Sequence, residues 1–265
     1  MKARFKALHE AGTFVMPNPW DVGSARILEG LGFPALATTS SGLAATLGKA
    51  DQQVTRDELV AHVRALTAAI GVPLNVDAER CFDDVTATVE LLAQAGAAGI
   101  SIEDYDPARE RIETVEEGAR RVALAKEACA RHGVVLTARA ENLLYGHDDL
   151  DDTIRRLRAY RQAGADVVYA PGLRAPEDIA RVVAEVAAPV NVLAVAGAPP
   201  VDELAKLGVR RVSTGGALAW AAYGALRDAA RELLDLGTTT FRSRSLTGEE
   251  IAAIADRGQA AAASS

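Results

Sequence analysis

The sequence predicts an α/β fold in which a (β/α)8 TIM-type barrel takes up the whole chain of 265 residues. Eight short apolar runs alternate with amphipathic stretches of helical period, which favours a parallel sheet. A doubly wound sheet shows the same alternation, but eight units fit a closed barrel better. No Gly-x-Gly-x-x-Gly motif follows the first run, so a dinucleotide-binding sheet lacks its usual signature.

The strands are predicted at the eight apolar runs, which are residues 13–17, 34–38, 73–76, 98–102, 134–138, 166–170, 190–195 and 210–213. Helical stretches separate them, and two of these stretches close with a glycine, Gly96 and Gly164, which is a common helix stop. We expect one domain, 1–265, with a C-terminal helical extension from about residue 215. The small residues of 215–237 suit close contact between helices.

Composition excludes several classes of protein. The net charge of −7 and the lack of a basic stripe argue against nucleic acid as a partner. No apolar run approaches the ~18 residues that a membrane span needs, and the N-terminus does not resemble a signal peptide, so we expect a cytoplasmic protein. Two cysteines imply no disulfide framework.

Acidic residues follow two neighbouring predicted strands. Asp77 and Glu79 come directly after the run 73–76, and Glu103 follows 98–102. On an extended backbone, residues two apart point the same way. Converging carboxylates repel one another unless they are protonated or a cation neutralises them, and oxygen ligands suit Mg²⁺ or Mn²⁺. The alternative is solvated acid at the strand ends.

Arg139 ends the apolar run 134–138, where a buried charge needs a partner. A guanidinium matches a carboxylate or phosphate bidentately, so Arg139 is a candidate to bind an anionic substrate. An internal salt bridge to Glu141 or Glu103 is the alternative. Ser41 and Gly42, after the second strand, offer backbone amides to an anion or form a plain turn.

With these residues in view, the chain resembles the isocitrate lyase/phosphoenolpyruvate mutase superfamily. The resemblance rests on the segments NPWDVGSARILEGLGFPALATTSSGLAATLGKAD, VDAE, GISIEDY, TARAENLL, ADVVYAPGL and VRRVSTGGAL. It implies a barrel whose last helix is often exchanged between subunits, a homodimer or homotetramer, bound Mg²⁺, and a small carboxylate substrate. It also implies an enolate-like oxyanion in the reaction.

The resemblance also implies roles for individual residues. The implied metal-binding residues are Asp77, as the direct ligand, with Glu79, Glu103 and Asp51. Glu79 stands where many relatives have aspartate. The implied substrate-binding residues are Arg139, Ser41, Gly42, Leu43 and, as a weaker candidate, Asn191. Catalytic roles are expected for Arg139, Glu103 and Tyr169, with Tyr169, Tyr105 or metal-bound water as candidate proton donors.

The segment 104–113 departs from the superfamily's lids. It has neither the Lys-Lys/Arg-Cys-Gly-His motif of the lyases nor the Lys-x-Asn-Ser motif of the mutases. Its charges predict a solvated, mobile loop, or a lid in which Arg109 or Arg111 closes over an anion.

We expect a Mg²⁺-dependent carbon–carbon lyase acting on a 2-hydroxy or 2-oxo (di)carboxylate. The alternatives are a phosphonomutase or phosphonopyruvate hydrolase, and a metabolite-binding barrel without turnover. A Schiff-base aldolase is set aside because none of the five lysines follows a predicted strand.

Overall fold

A computed structural model describes residues 1–254 of the chain. Its strands are β1 (Phe14–Met16), β2 (Leu36–Ala37), β3 (Leu74–Asp77), β4 (Gly99–Glu103), β5 (Tyr105–Asp106), β6 (Arg111–Ile112), β7 (Val135–Arg139), β8 (Val167–Tyr169), β9 (Val190–Leu193) and β10 (Arg211–Ser213). Eight of them form one parallel sheet in the order β1-β10-β9-β8-β7-β4-β3-β2. The Ala37 amide donates to the Pro17 carbonyl at 3.1 Å, which joins the two ends of the sheet. The predicted TIM-type barrel is confirmed: each of the eight apolar runs contains a strand, and β3, β4 and β7 extend one residue beyond the run.

Helices surround this barrel. They are α1 (Lys2–Ala7), α2 (Val22–Gly30), α3 (Ser40–Thr46), α4 (Arg56–Ala69), α5 (Val85–Gln94), α6 (Val115–His132), α7 (Leu150–Gln162), α8 (Pro176–Val186), α9 (Val201–Lys206) and α10 (Ala217–Leu236). Helices α4 and α6 begin with capping boxes, Thr55 with Glu58 and Thr114 with Glu117, which satisfy amides that the helix cannot pair itself. No helix within 1–254 has both the length and the apolar character to cross a bilayer.

Successive residues of each strand face opposite sides of the barrel wall. Val76, Ile100, Leu136 and Val192 face outward and pack with the helices into the main core. The inward positions of five strands form a polar layer at mid-height, and these residues are Asn75, Ser101, Thr137, Asn191 and Arg211. Hydrogen bonds show that they share the interior, because Arg211 on β10 donates to Thr137 at 2.9 Å across two intervening strands. We call these five residues the polar layer.

The amino-terminal end of the barrel is closed by α1. The fully buried Phe5 packs with Phe14, Val135 and Val167 in a second, smaller core. A Cβ on Gly99 would lie 2.4 Å from the Phe5 ring, so glycine is needed where this ring enters the barrel.

The segment 104–113 is a hairpin of β5 and β6, and the expectation of a solvated loop is wrong for Asp104 and Asp106, whereas residues 107–110 at its tip are exposed. Asp104 and Asp106 are buried, because each is the partner of an arginine elsewhere in the barrel shell: Arg156 lies 3.1 Å from Asp104 and Arg80 lies 3.3 Å from Asp106. Arg111 forms a two-pronged pair with Glu117, both contacts at 2.9 Å.

Helix α10 projects from the barrel after β10, close to where the helical extension was expected. Of its twenty residues, only Ala219 is buried, and Leu226, Leu234 and Leu236 are strongly exposed. This apolar surface fits the expected contact with another subunit. The exchange of a helix between subunits and the single-domain division stay predictions.

Candidate active site

A pocket of about 190 Å³ opens at the carboxyl ends of the barrel strands and reaches down to the polar layer. This is the face on which TIM barrels carry their active sites. Its polar and charged lining residues include Asn18, Ser40, Ser41, Asp51, Asp77, Arg139, Tyr169, Asn191, Arg211 and Ser213.

Arg139, at the end of β7, is held by three carboxylates. Its Nε donates to Glu141 at 2.7 Å, its Nη1 to Asp77 at 2.8 Å, and its Nη2 lies 3.2 Å from Glu103. Burial alone would lower the pKa of Arg139, but the three carboxylates outweigh it and raise the pKa well above the usual value. The internal salt bridge that the sequence left as an alternative is therefore present. Each terminal nitrogen keeps one further N–H for a substrate.

The acids at this site outnumber the arginine. Burial, with Asp77 and Asp51 close by, raises the pKa of Glu79 to about 8. Burial also raises the pKa of Glu103, and neighbouring carboxylates add to this although Arg139 opposes it. Five carboxylates therefore lie in one electrostatic neighbourhood with one cation: Asp51, Asp77, Glu79, Glu103 and Glu141.

Glu79 does not reach this neighbourhood in the way we expected. The strand β3 ends at Asp77, and Glu79 has a φ of 48°, in the left-handed region, so the backbone between the two acids is not extended. The turn instead directs the Glu79 carbonyl toward the Glu103 amide, at 2.9 Å. Asp77 and Glu79 are therefore not two residues apart on one extended strand, as we expected, although the two carboxyl groups remain electrostatically coupled.

The chemistry of this acid set fits a divalent cation, but its geometry is not that of a closed cage. Within 1–254, no three Asp, Glu, His or Cys side chains are placed to hold a metal ion directly. The physical reason is that Arg139 lies between Asp77, Glu103 and Glu141. Burial is the largest cause of the raised pKa values of Glu79 and Glu103, and repulsion from neighbouring carboxylates adds to it, which a hard cation would relieve. Mg²⁺ usually keeps several waters, so Asp77 would hold it with the other acids acting through water.

The residues predicted to bind substrate divide into two groups. Arg139, Ser41 and Asn191 line the pocket, whereas Gly42 and Leu43 do not. The Leu43 amide donates to the Thr39 carbonyl at 3.0 Å and the Gly42 amide to Thr39 Oγ1 at 3.4 Å, so both are used inside α3. A Cβ on Gly42 would lie 2.5 Å from Thr39 Cγ2, so this glycine serves packing.

Tyr169 lies beneath the guanidinium of Arg139, whose Cζ is 5.4 Å from the ring centroid. Burial raises the pKa of the Tyr169 hydroxyl, which therefore keeps its proton at neutral pH. Because Tyr169 also lines the pocket, it can donate that proton to a bound molecule.

A buried network stands behind Arg139 and sets its position. Asp104 accepts from the Tyr160 hydroxyl at 2.6 Å, from Arg156 at 3.1 Å and from the Glu141 amide at 2.8 Å. Because Glu141 in turn accepts from Arg139, the hairpin residue Asp104 is linked to the site through two contacts.

Several residues that contact the site had no role predicted from the sequence. Gln52 donates to Glu103 at 3.0 Å from a loop with no motif. Asn18 joins the first strand to the last, because its Oδ1 accepts from the amides of Thr214 and Gly215, both at 2.9 Å. Arg211 could have been noticed in the sequence, because an arginine inside a predicted buried strand needs a partner in the protein or a bound ligand.

The chain matches the family model described as phosphoenolpyruvate phosphomutase over residues 5–234. It is similar to a crystal structure titled as a candidate lyase/mutase from Burkholderia cenocepacia J2315, with 47% identity, 95% and 94% coverage of the two chains, and a TM-score of 0.91. An oxaloacetate decarboxylase of Rhodopseudomonas palustris (strain TIE-1) is 30% identical over 76% of this chain and 72% of its own length. The structure of a 2,3-dimethylmalate lyase is 26% identical with a TM-score of 0.87, covering 99% and 98% of the two chains. The chain therefore belongs to the phosphoenolpyruvate phosphomutase family, within the phosphoenolpyruvate mutase/isocitrate lyase superfamily.

Proposed function

We propose that this protein is a Mg²⁺- or Mn²⁺-dependent lyase that breaks a carbon–carbon bond in a small 2-oxo or 2-hydroxy carboxylate. The carrying observation is the acid set beside the polar pocket: Asp77, Glu103 and Glu141 contact the guanidinium of Arg139, and Asp51 and Glu79 lie within electrostatic reach of it. Such an excess of buried acid costs folding free energy unless some carboxyls hold protons or a cation compensates the charge, and a bound divalent cation would keep these groups ionised. The relatives named as oxaloacetate decarboxylase and 2,3-dimethylmalate lyase act on substrates of this chemical class, which supports the proposal.

In this reaction, residues of the pocket would bind the substrate, orient it and transfer a proton. The free N–H groups of Arg139 and the Ser41 hydroxyl orient the substrate carboxylate next to the acid set. A divalent cation supplies Lewis acidity, which stabilises negative charge on the substrate oxygen. With a 2-hydroxy substrate, a carboxylate of the acid set would take up the hydroxyl proton as the C–O bond becomes a carbonyl and the carbon–carbon bond breaks. Tyr169 holds a proton at its hydroxyl and would deliver it to the carbon that carries the electron pair after the bond breaks. Asn191, on the opposite wall, limits how the remaining part of the substrate lies.

The experiment is a substrate panel with metal-stripped protein. Oxaloacetate, 2-hydroxy dicarboxylates and phosphonopyruvate are each supplied with Mg²⁺, with Mn²⁺ and with excess EDTA. Released oxo acid is followed with a coupled dehydrogenase, and phosphoenolpyruvate is followed in the same way after pyruvate kinase and ADP convert it to pyruvate. We expect metal-dependent turnover of a carboxylate substrate and none of phosphonopyruvate. Turnover of phosphonopyruvate alone would replace this proposal with phosphorus–carbon chemistry, which the family model's description keeps as the second candidate.

A further inference from the structure

Arg211 occupies an unusual place for a charged residue. It lies on β10 in the polar layer, 1% exposed, and its side chain forms part of the floor of the pocket. The interior of a TIM barrel is ordinarily filled by branched apolar side chains. Burying a guanidinium at this depth costs folding free energy unless hydrogen-bond partners and an opposite charge offset the loss of water.

All the hydrogen-bond partners of Arg211 are neutral. Its Nε donates to Asn191 Oδ1 at 2.8 Å, its Nη2 to Thr137 Oγ1 at 2.9 Å, and its Nη1 lies 3.4 Å from His9 Nε2. His9 is itself uncharged at neutral pH, because burial and the nearby Arg211 lower its pKa to about 3. Within residues 1–254, no carboxylate lies within ion-pair distance of Arg211.

The donors of Arg211 are not exhausted by these contacts. A guanidinium carries five N–H groups, and three partners leave two of them free. Asn75, which also lines the floor, has a buried Oδ1 without a partner among the described protein atoms. The floor therefore offers unused donors and acceptors around a positive charge that burial does not remove, since the pKa falls only to about 9.

The two arginines of the pocket differ in charge balance. Arg139, near the mouth, is surrounded by carboxylates that exceed its own charge. Arg211, at the floor, faces none. An anion that enters the pocket therefore meets an acidic rim, which only a cation or the free N–H groups of Arg139 can offset, and an uncompensated positive charge at the bottom.

We infer that Arg211 binds a second carboxylate of the substrate, so that the pocket selects a dicarboxylate whose far end reaches the barrel floor. Hydroxyl groups that line the same pocket, those of Ser101 and Ser213, would supply further donors to this carboxylate. The inference that this dicarboxylate is the substrate rests on the proposed function. The inference that Arg211 binds a carboxylate rests only on the residues at the floor of the pocket.

The test compares two ligands that differ only at the far end. Malate carries a carboxylate where 2-hydroxybutanoate carries a methyl group, and binding of each is measured by calorimetry in chloride-free buffer. The parent protein should bind malate at least tenfold more tightly. Arg211→Gln should reduce this preference to twofold or less. Arg210→Gln is the control, because it removes a neighbouring charge that donates to the Gly12 carbonyl outside the pocket. This variant should keep the parent's preference for malate.

An absent preference in the parent, or a preference that survives Arg211→Gln, would overturn the inference. If Arg211→Gln fails to fold, Arg211→Lys takes its place. It should give an intermediate preference because a point charge replaces the planar fork, and an unchanged preference would overturn the inference. A purely structural role would change the melting temperature of the variant without changing the ratio of the two affinities. Calorimetry needs no turnover, so a protein that prefers malate but cleaves nothing would refute the proposed function and not this subsite.

Discussion

Replacing Arg139 with methionine should tighten the binding of Mg²⁺ while abolishing turnover. The guanidinium contacts Asp77, Glu103 and Glu141 at 2.7 to 3.2 Å, and its side chain is 13% exposed. Removing one partner of a buried ion pair costs about 3–5 kcal/mol in the free energy of unfolding. Because Glu79 and Glu103 already have raised pKa values and can take up protons, we expect the lower end of that range.

The same change removes a positive charge that repels a cation bound at these acids. At a separation on the order of 5 Å and an effective dielectric constant of about 20, each pair of unit charges contributes about 3 kcal/mol. Proton uptake by the freed carboxylates competes with the metal and reduces the gain. We therefore expect Mg²⁺ to bind at least about tenfold more tightly, equivalent to about 1.4 kcal/mol.

Arg156→Met is the matched control, because Arg156 is 11% exposed and also pairs with two carboxylates, Asp104 and Asp152, behind the site. It should lose comparable stability without a gain in metal affinity. Calorimetric titration of EDTA-stripped proteins at pH 8 measures the affinity, and thermal melts with and without Mg²⁺ measure the stability. Equal Mg²⁺ affinities for the two variants, or no Mg²⁺ binding to the parent, would refute the reasoning.

Four further changes test other parts of the structure. Asp77→Asn should abolish turnover with little change in melting temperature, and full activity of the parent in excess EDTA would contradict the metal site. Tyr160→Phe removes the hydroxyl that donates to Asp104 at 2.6 Å, so denaturant titration should show a loss of about 1–3 kcal/mol, whereas Tyr223→Phe on α10 should be nearly neutral. His9 stays neutral in the folded protein down to about pH 3, while the unfolded chain protonates it below its ordinary pKa of 6.5. Stability is therefore lost as pH falls through that window, by up to about 1.4 kcal/mol per pH unit, and His9→Gln should lose less between pH 6 and pH 4; identical slopes would argue against this. Light scattering should report a dimer or tetramer that Leu226→Glu weakens, and a monomeric parent at micromolar concentration would count against α10 as a contact surface.

The barrel could be predicted because the same sequence pattern, an apolar run followed by an amphipathic helix, is repeated eight times. Each strand alternates with a helix, and outward positions such as Val76 and Ile100 are apolar wherever helices cover them. The carboxyl ends of parallel strands share one face, so the approach of Asp77, Glu103 and Arg139 followed from position alone.

The contacts inside the site could not be predicted in the same way. Whether Arg139 faces a substrate or three carboxylates depends on side-chain geometry, and so does the left-handed turn that places Glu79. The hairpin 104–113 was misread because charge in a sequence suggests solvent. In the structure, Asp104 and Asp106 meet arginines that are distant in the chain.

The contact of Asn18 with Thr214 and Gly215 has a consequence for the order of folding. These residues are separated by 196 and 197 positions, yet they complete one wall of the pocket. During synthesis the first strand must therefore wait for the last one to emerge, and its edge stays unpaired in the meantime. Contacts of such long range slow the search for the native state. The pocket can consequently bind a ligand only after the first and last strands have paired, which is the final step of folding. A substrate analogue should therefore slow unfolding of the completed barrel without accelerating its folding.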